Sequence, residues 1–111
     1  MSANETRSEK SVRIVLDEEK ILREGKYKLE DLYAYLDEIA KEEGLTKQDK
    51  YTYVGKGDEK DLSRIANFTV LEAIKNEAIT RNAKEWLWFE NEKIDVNVIK
   101  SAKRNGDGVW E

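Results

Sequence analysis

Trp86-Leu87-Trp88-Phe89 is the stretch of this chain that is most costly to leave in water. It holds three of the ten aromatic residues, which are three Trp, five Tyr and two Phe. Each aromatic ring can bury roughly 150–250 Å², so the stretch must enter a core or cover a partner. Ala78, Ile79 and Ala83 precede it at helical spacing, which predicts a helix that runs to about residue 90. The alternation within the four residues also fits a strand, but the longer upstream pattern favours the helix.

The helical phase divides these four residues into two groups. On a helix, Trp86, Leu87 and Phe89 would point toward the core, whereas Trp88 would point nearly opposite to Trp86. Trp88 is therefore either covered by a later element or exposed. An exposed Trp88 would form an aromatic anchor with Tyr35, which lies off the main apolar stripe of its own helix. Trp and Tyr are enriched at interface hot spots.

The first half of the chain has clearer local signals. Residues 11–16 and 51–54 are β-branched or alternating runs, which predicts two strands. Residues 29–43 place their apolar side chains on one face of a 3.6-residue period, which predicts a helix. A shorter helix is expected over residues 18–23, ended by Gly25.

The second half of the chain is predicted to be mostly helical. Residues 61–90 form one helix or two, and a break at Asn76 favours two. Residues 95–104 are expected to form the last helix, with Asp95 as its N-cap. Residues 46–50 are polar and are expected to form a connector.

These elements predict an α+β fold of three to four helices packed on a small two- or three-stranded β-ribbon. A chain of 111 residues is large enough for one core but not for two. Residues 1–10 are expected to form a disordered polar tail, and residues 11–111 a single globular domain. Val109 and Trp110 are expected to fold back onto its body.

Composition excludes several classes of function. The chain has no His and no Cys, which removes the commonest zinc ligands and rules out Ser–His and Cys–His catalysis. We therefore expect a protein that is not an enzyme and that uses no cofactor and no metal. No apolar run approaches the ~18 residues of a membrane span, and the first seven residues lack the apolar centre of a signal peptide. These features predict a cytoplasmic protein with no membrane partner.

Gly55-Lys56-Gly57 follows a predicted strand and precedes a predicted helix, the position at which phosphate-binding loops occur. A dinucleotide-binding fingerprint needs a third glycine at position 60, which is Lys60 here. A Walker A loop needs a longer glycine spacing and a terminal Lys-Ser or Lys-Thr. Asp58, Glu59 and Asp61 also place negative charge where an anion would bind. We therefore expect an ordinary strand-to-helix turn.

Charge is distributed unevenly along the chain. Residues 17–43 contain ten acidic and five basic residues, whereas residues 96–105 contain three basic residues and no acid. Paired acids can run glycosidase chemistry or bind Mg²⁺. However, these acids are mostly sequence neighbours on the polar side of a helix, which is typical of a solvated face. Basic residues at the end of a helix are equally ordinary, because they stabilise its C-terminus.

Three segments carry a resemblance to known sequences. They are Gly25-Lys26-Tyr27-Lys28-Leu29-Glu30-Asp31-Leu32-Tyr33, Tyr53-Val54-Gly55-Lys56-Gly57 and Lys84-Glu85-Trp86-Leu87-Trp88-Phe89. Over most of residues 20–105, the chain resembles a group of short uncharacterised proteins from mobile elements and prophages of Gram-positive bacteria. The resemblance implies a cytoplasmic, accessory role, and it implies no activity and no functional residues.

The leading hypothesis is a small non-enzymatic protein-interaction module. Within that class, an inhibitor or accessory factor of a mobile element is expected, with another protein of unknown identity as the partner. The predicted contact surface combines the aromatic anchor with the acidic helix. It comprises Tyr35, Trp88, Asp31, Asp37 and Glu38.

The alternative hypothesis is a DNA-associated accessory factor that uses the basic C-terminal helix through Lys100, Lys103 and Arg104. A net charge of −4 opposes non-specific binding to DNA, so nucleic acid is the less favoured partner. A third hypothesis, a hydrolase or metal enzyme, would require two acidic residues that converge in a pocket.

Overall fold

Five antiparallel strands form one sheet in the computed structural model, which describes residues 9–108 and 110. The strands are β1 (Lys10–Leu16), β2 (Thr46–Asp49), β3 (Thr52–Val54), β4 (Ala83–Glu90) and β5 (Lys93–Asn97). Their order across the sheet is β2-β3-β1-β4-β5. The α+β class is therefore correct, but the predicted ribbon of two or three strands is wrong.

Five α-helices accompany the sheet within the described residues. They are α1 (Glu18–Glu24), α2 (Leu29–Glu42), α3 (Asp61–Ala66), α4 (Glu77–Thr80) and α5 (Val98–Asn105), and between α3 and α4 the chain forms a π-helical segment (Asn67–Glu72) and a 3₁₀ turn (Ala73–Lys75). The helices predicted over residues 18–23 and 29–43 are confirmed. The break at Asn76 is also confirmed, because its side chain caps α4 by accepting the N–H of Ala78 at 3.0 Å.

Trp86-Leu87-Trp88-Phe89 lies in β4, so the helix predicted over this stretch is wrong. β4 pairs along its whole length with β1 at the centre of the sheet. Side chains alternate between the two faces of a strand. Trp86 and Trp88 therefore face the helices, and Leu87 and Phe89 face away from them. Trp86 faces the core in both arrangements, but Trp88 and the pair Leu87 and Phe89 lie on the sides opposite to those expected for a helix.

The helix prediction failed because the upstream apolar residues form one short helical turn. Ala78 and Ile79 belong to α4, which ends at Thr80. The backbone carbonyl of Asn82 then accepts a hydrogen bond from the N–H of Asp17 at 2.7 Å, and this bond directs the chain alongside β1. A short alternating run has little preference of its own, so the ladder with β1 decides in favour of the strand.

Both edge strands differ from the predictions. Residues 46–50, predicted as a connector, contribute β2, and residues 95–97, predicted to begin the last helix, lie in β5. The last helix begins at Val98, with Asn97 in place of Asp95 as its N-cap. Both edge strands are largely exposed. β2 is entirely polar and lacks the apolar alternation by which a strand is recognised in a sequence. β5 does alternate, with Ile94 and Val96 between polar residues, but Asp95 also fits a helix N-cap, and the helix was predicted instead.

One apolar core lies between the helices and one face of the sheet. Apolar side chains from β1, β3 and β4 meet those of all five α-helices and of the π-helical segment in a single cluster within the described residues. The largest fully buried members are Trp86, Tyr53, Phe68, Ile14, Leu16, Ile21, Leu36, Ile65 and Ile79. The sheet is thus covered on one side only.

The described residues reach close to both ends of the chain. The ring of Trp110 lies edge-on to Trp86, with 6.2 Å between ring centroids, so the C-terminal fold-back is confirmed for this residue. Val109 lies outside the described residues. The predicted disordered tail also falls outside them, except for residues 9 and 10, and Lys10 begins β1.

Replacing Trp86 with alanine should lower the free energy of unfolding by about 3–5 kcal/mol, because the side chain is fully buried and would leave a large cavity. Phe89→Ala should cost clearly less, because Phe89 lies on the uncovered face. Urea denaturation of both variants measures the difference. Equal losses would contradict the strand geometry, since a helix would bury both side chains.

Candidate protein-binding surface

The face of the sheet that points away from the helices carries an apolar surface, here named the open face. It consists of Val15, Val54, Leu87, Phe89 and Ile94. All five side chains lie outside the apolar cluster that the helices cover. Ile94 is 62% exposed, and the other four are partly exposed. Within the described part of the chain, no second layer packs over them.

The strand register makes the open face continuous. Val54, Ser11, Phe89 and Ile94 are successive partners on four adjacent strands. Leu87 lies two residues from Phe89 on the same side of β4. Directly opposed side chains in a sheet are separated by roughly 4.5–5.5 Å between Cβ atoms. These residues therefore form one patch and not scattered exposed groups.

The open face carries little net charge. Its cation Arg13 forms an ion pair with Glu85, with 2.7 Å between Nε and Oε1, and Asp49 of β2, which lies opposite Thr52, adds a second carboxylate near Arg13. The side chains of Arg13 and Glu85 are both more than a third exposed, so the pair adds little stability. Its main effect is to neutralise both charges beside Leu87. The acidic residues of α1 and α2 belong to the opposite layer of the fold.

Trp88 and Tyr35, the predicted aromatic anchor, form hydrogen bonds within the fold. The indole Nε1 of Trp88 donates to Oγ1 of Thr69 at 3.1 Å, and the hydroxyl of Tyr35 lies 3.5 Å from the carbonyl oxygen of Glu72. Thr69 and Glu72 both belong to the π-helical segment. Trp88 and Tyr35 are therefore half-buried and hold the same segment in place.

The acidic part of the predicted surface is divided between two environments. Asp31 and Glu38 are exposed on α2. Asp37 instead accepts hydrogen bonds from the hydroxyl of Tyr53 at 2.5 Å and from Nζ of Lys47 at 2.9 Å. Burial, and then the neighbouring Asp37 carboxylate, raise the pKa of Tyr53 far above its usual value. Asp37 thus joins α2 to the sheet.

A cluster around Glu18 was not foreseen from the sequence. Its carboxylate accepts hydrogen bonds from the hydroxyls of Tyr33 at 2.8 Å and Tyr51 at 3.1 Å, and it pairs with Lys50 at 3.1 Å. The Tyr33 hydroxyl holds the pKa of Glu18 below its usual value, and burial raises the pKa of Tyr33. Both shifts move the pKa of the group further from neutral pH. The cluster therefore favours a structural role over acid–base chemistry.

The Gly55-Lys56-Gly57 loop encloses a carboxylate that belongs to the chain itself. Asp61 is fully buried, and its two oxygens accept the N–H groups of Lys56 at 2.8 Å and Gly57 at 2.7 Å. Arg64 completes the site, with 2.5 Å between Nη1 and Oδ1 of Asp61. A Cβ atom at Gly55 would overlap the carboxyl group of Asp61. The loop is a strand-to-helix turn, as predicted, and its anion-binding groups are already occupied.

The three basic residues of the alternative hypothesis are exposed on α5. Lys100 and Lys103 lie along a groove that also contains Lys84 of β4. Arg104 is not among the residues that line this groove. Two of the three predicted residues are therefore brought together, and the sheet adds a third lysine to them.

Among residues 9–108 and 110, no group of three or more acidic side chains is close enough to hold a metal ion. Over the same residues, no helix combines the length and the apolar content needed to cross a bilayer.

The stability of the protein should fall as the pH is lowered from about 4 toward 2. Arg64 holds the pKa of Asp58 at about 2. For Asp61, burial opposes ionisation, but the N–H groups of Lys56 and Gly57 and the Arg64 guanidinium outweigh it and leave the pKa below its usual value. Both carboxylates therefore stabilise the fold above their unfolded pKa, and the stabilisation is lost as they are protonated.

Thermal unfolding at a series of pH values measures this dependence. Asp61→Asn should lower the melting temperature at pH 6 and flatten its decline between pH 4 and 2. Asp31→Asn is the matched control, because Asp31 is exposed on α2, and it should keep the slope of the unmodified protein. An unchanged slope in Asp61→Asn would contradict the role given to the buried carboxylate.

Comparison of the chain with protein-family models, with characterised proteins and with solved structures finds no match.

Proposed function

We propose that this protein is a small non-enzymatic binding module that docks another protein on the open face of its sheet. The observation that carries the proposal is the one-sided packing of the sheet. All helices that contribute to the core lie on one face, and Val15, Val54, Leu87, Phe89 and Ile94 remain on the other. A contiguous exposed apolar patch is typical of an interaction surface.

The composition of the open face indicates the kind of partner. Phe89 and Leu87 supply apolar contact area at the centre of the sheet, and the small polar side chain of Ser11, which is 9% exposed, lies opposite Phe89. The only ion pair on this face, Arg13–Glu85, is internally neutral within the described residues. Interface cores are depleted in net charge and enriched in aromatic residues. The partner is therefore expected to present an apolar, uncharged surface.

This proposal moves the contact surface away from the residues first predicted. Trp88 and Tyr35 donate hydrogen bonds to the π-helical segment. They are therefore better suited to holding that segment in place than to docking a partner. The resemblance to proteins of mobile elements implies an accessory role in the cytoplasm. That role forms part of the same proposal and rests on the resemblance alone.

A charge placed on the open face should abolish partner binding without unfolding the protein. Ile94→Asp is the safest variant, because Ile94 is 62% exposed, and Phe89→Asp tests the centre of the patch. We expect the Kd for the partner to rise at least about tenfold in each, as is common when a central contact is lost. Leu22→Asp is the matched control, since Leu22 is 69% exposed on α1.

The partner is first identified with a photo-crosslinking amino acid placed at position 89 or, as a control, at position 22. The protein captured only from position 89 is then purified and titrated against all variants, and circular dichroism checks that each variant is folded. Equal capture from both positions, or an unchanged Kd in Ile94→Asp, would overturn the proposal. Crosslinking from position 89 to a second copy of the chain alone would show self-association in place of a partner protein.

A further inference from the structure

A groove of about 380 Å³ lies beside the open face, between β4 and α5. Leu87 belongs to both surfaces, because its side chain points to the open face and also lines the groove. Asn97, the cross-strand partner of Leu87, lines the groove as well. The groove is therefore continuous with the rim of the proposed docking surface.

We name it the lysine groove, because Lys84, Lys100 and Lys103 line it and all three are exposed. Among the described residues, none of these lysines forms an ion pair. Glu85 is the one acid among the described residues of the lining, and Arg13 engages its carboxylate at 2.7 Å. The groove is thus a positive site on a chain whose net charge is −4.

The lysines are placed against the local electrostatics of the fold. Lys100 is the third residue of α5, at the positive end of the helix dipole, where a cation is unfavourable. Lys103 follows three residues later and lines the same groove, and like charges that are neighbours on a helix repel each other. Stabilisation of the helix C-terminus accounts for Lys103 but for neither Lys100 nor Lys84. The cluster therefore does not stabilise the fold, which favours a role in binding.

We propose that the lysine groove binds an acidic segment of the same partner protein whose apolar surface covers the open face. The inference rests on the proposed function, because the groove and the open face share Leu87. Carboxylates of the partner would contact the three lysines, while its apolar side chains contact Phe89 and Ile94. The partner is thus a protein with an apolar surface that is bordered on one side by acidic residues.

The position of the lysines at one rim would orient the partner. The groove lies on the side of the sheet that bears β4, β5 and α5, whereas the opposite rim at β2 carries the carboxylate of Asp49. A partner bound in the reverse orientation would leave the lysines uncompensated and would meet a like charge at β2. Charges at the rim of an interface set the association rate constant and the orientation more than the affinity.

Nucleic acid is a poorer ligand for the same groove. Single strands bind through bases stacked on exposed aromatic rings, but the aromatic residue in the lining, Trp86, is fully buried. A duplex would be held by the three lysines against a net charge of −4 that repels its phosphates. The apolar side chains of Leu87 and Ile99 in the lining suit a protein segment better.

The test measures the association and dissociation rate constants of the partner captured at position 89, at several salt concentrations. The groove variant is Lys84→Glu, Lys100→Glu, Lys103→Glu. The matched control variant is Lys26→Glu, Lys41→Glu, Lys60→Glu, whose lysines are exposed elsewhere. Each substitution changes the charge by −2, so both variants go from −4 to −10, and a difference between them reports the position of the charges.

The groove variant should associate at least about tenfold more slowly than the control variant at low ionic strength, because attraction at the rim becomes repulsion. Its dissociation rate constant should change less. At about 1 M salt the Debye length is about 3 Å, so the two variants should then associate at similar rates. The groove variant should remain folded by circular dichroism, because Lys100→Glu places an anion at the N-terminus of α5.

A charge exchange identifies the acidic segment. A photo-crosslinking amino acid at position 84 marks the part of the partner that lies in the groove. Replacing the acidic residues of that part with lysine should slow association with the unmodified protein and restore association with the groove variant. Restoration requires direct contact between the two sets of charges, which a structural effect of the lysine substitutions would not produce.

Equal association rates of the two triple variants at low salt, or no restoration by the charge exchange, would overturn the inference. An oligonucleotide that binds the groove more tightly than the partner does would also overturn it. The proposed function fails in a different way, since an unchanged Kd in Ile94→Asp, or no protein captured specifically from position 89, rejects the open face and the inference together. If Ile94→Asp weakens binding and the two triple variants stay equal, only the acidic segment is rejected.

Discussion

The pairing of β4 with β1 is the constraint on which the rest of this structure depends. Seven cross-strand pairs join the two strands, and they place Ile14 opposite Trp86 and Val12 opposite Trp88. Because side chains alternate along each strand, this single ladder decides which residues face the helices and which do not. The buried core, the supports under the π-helical segment and the open face all follow from its register. A shift of one residue would exchange the two faces completely.

Local signals made part of the fold predictable from the sequence. The helix over 29–43 has an apolar stripe of its own, and Gly25 and Gly106 end their helices in the left-handed conformation that favours glycine. Nonlocal features were not predictable in the same way. β4 is a strand because β1 lies beside it, and this contact is remote in the chain, so a window of neighbouring residues does not contain it. The edge strand β2 pairs with the adjacent β3, but it carries no apolar pattern from which a strand could be recognised.

The candidate sites show the same division between local and remote information. Acidic residues around the Gly55-Lys56-Gly57 loop argue against a phosphate site from sequence alone, and the structure adds the reason, since Asp61 occupies the N–H groups of the loop. The meeting of Glu18 with Tyr33 and Tyr51 has no sequence signal, because these residues lie far apart in the chain. The grouping of Lys84 with the lysines of α5 was likewise hidden, because residues 83–86 were assigned to a helix.

The exposure of Leu87 and Phe89 is a consequence of topology and not of chance. Three aromatic residues within four positions cannot all enter a core that lies on one side of a strand, because alternation sends Leu87 and Phe89 to the face opposite Trp86. A second layer would be needed to bury them, and the described helices that contribute to the core lie on the first face. The fold therefore keeps apolar side chains at the centre of its sheet in contact with water. An arrangement of this kind is costly for an isolated domain and becomes favourable once a partner covers it, which is the physical reason to treat β4 as the binding element of this protein.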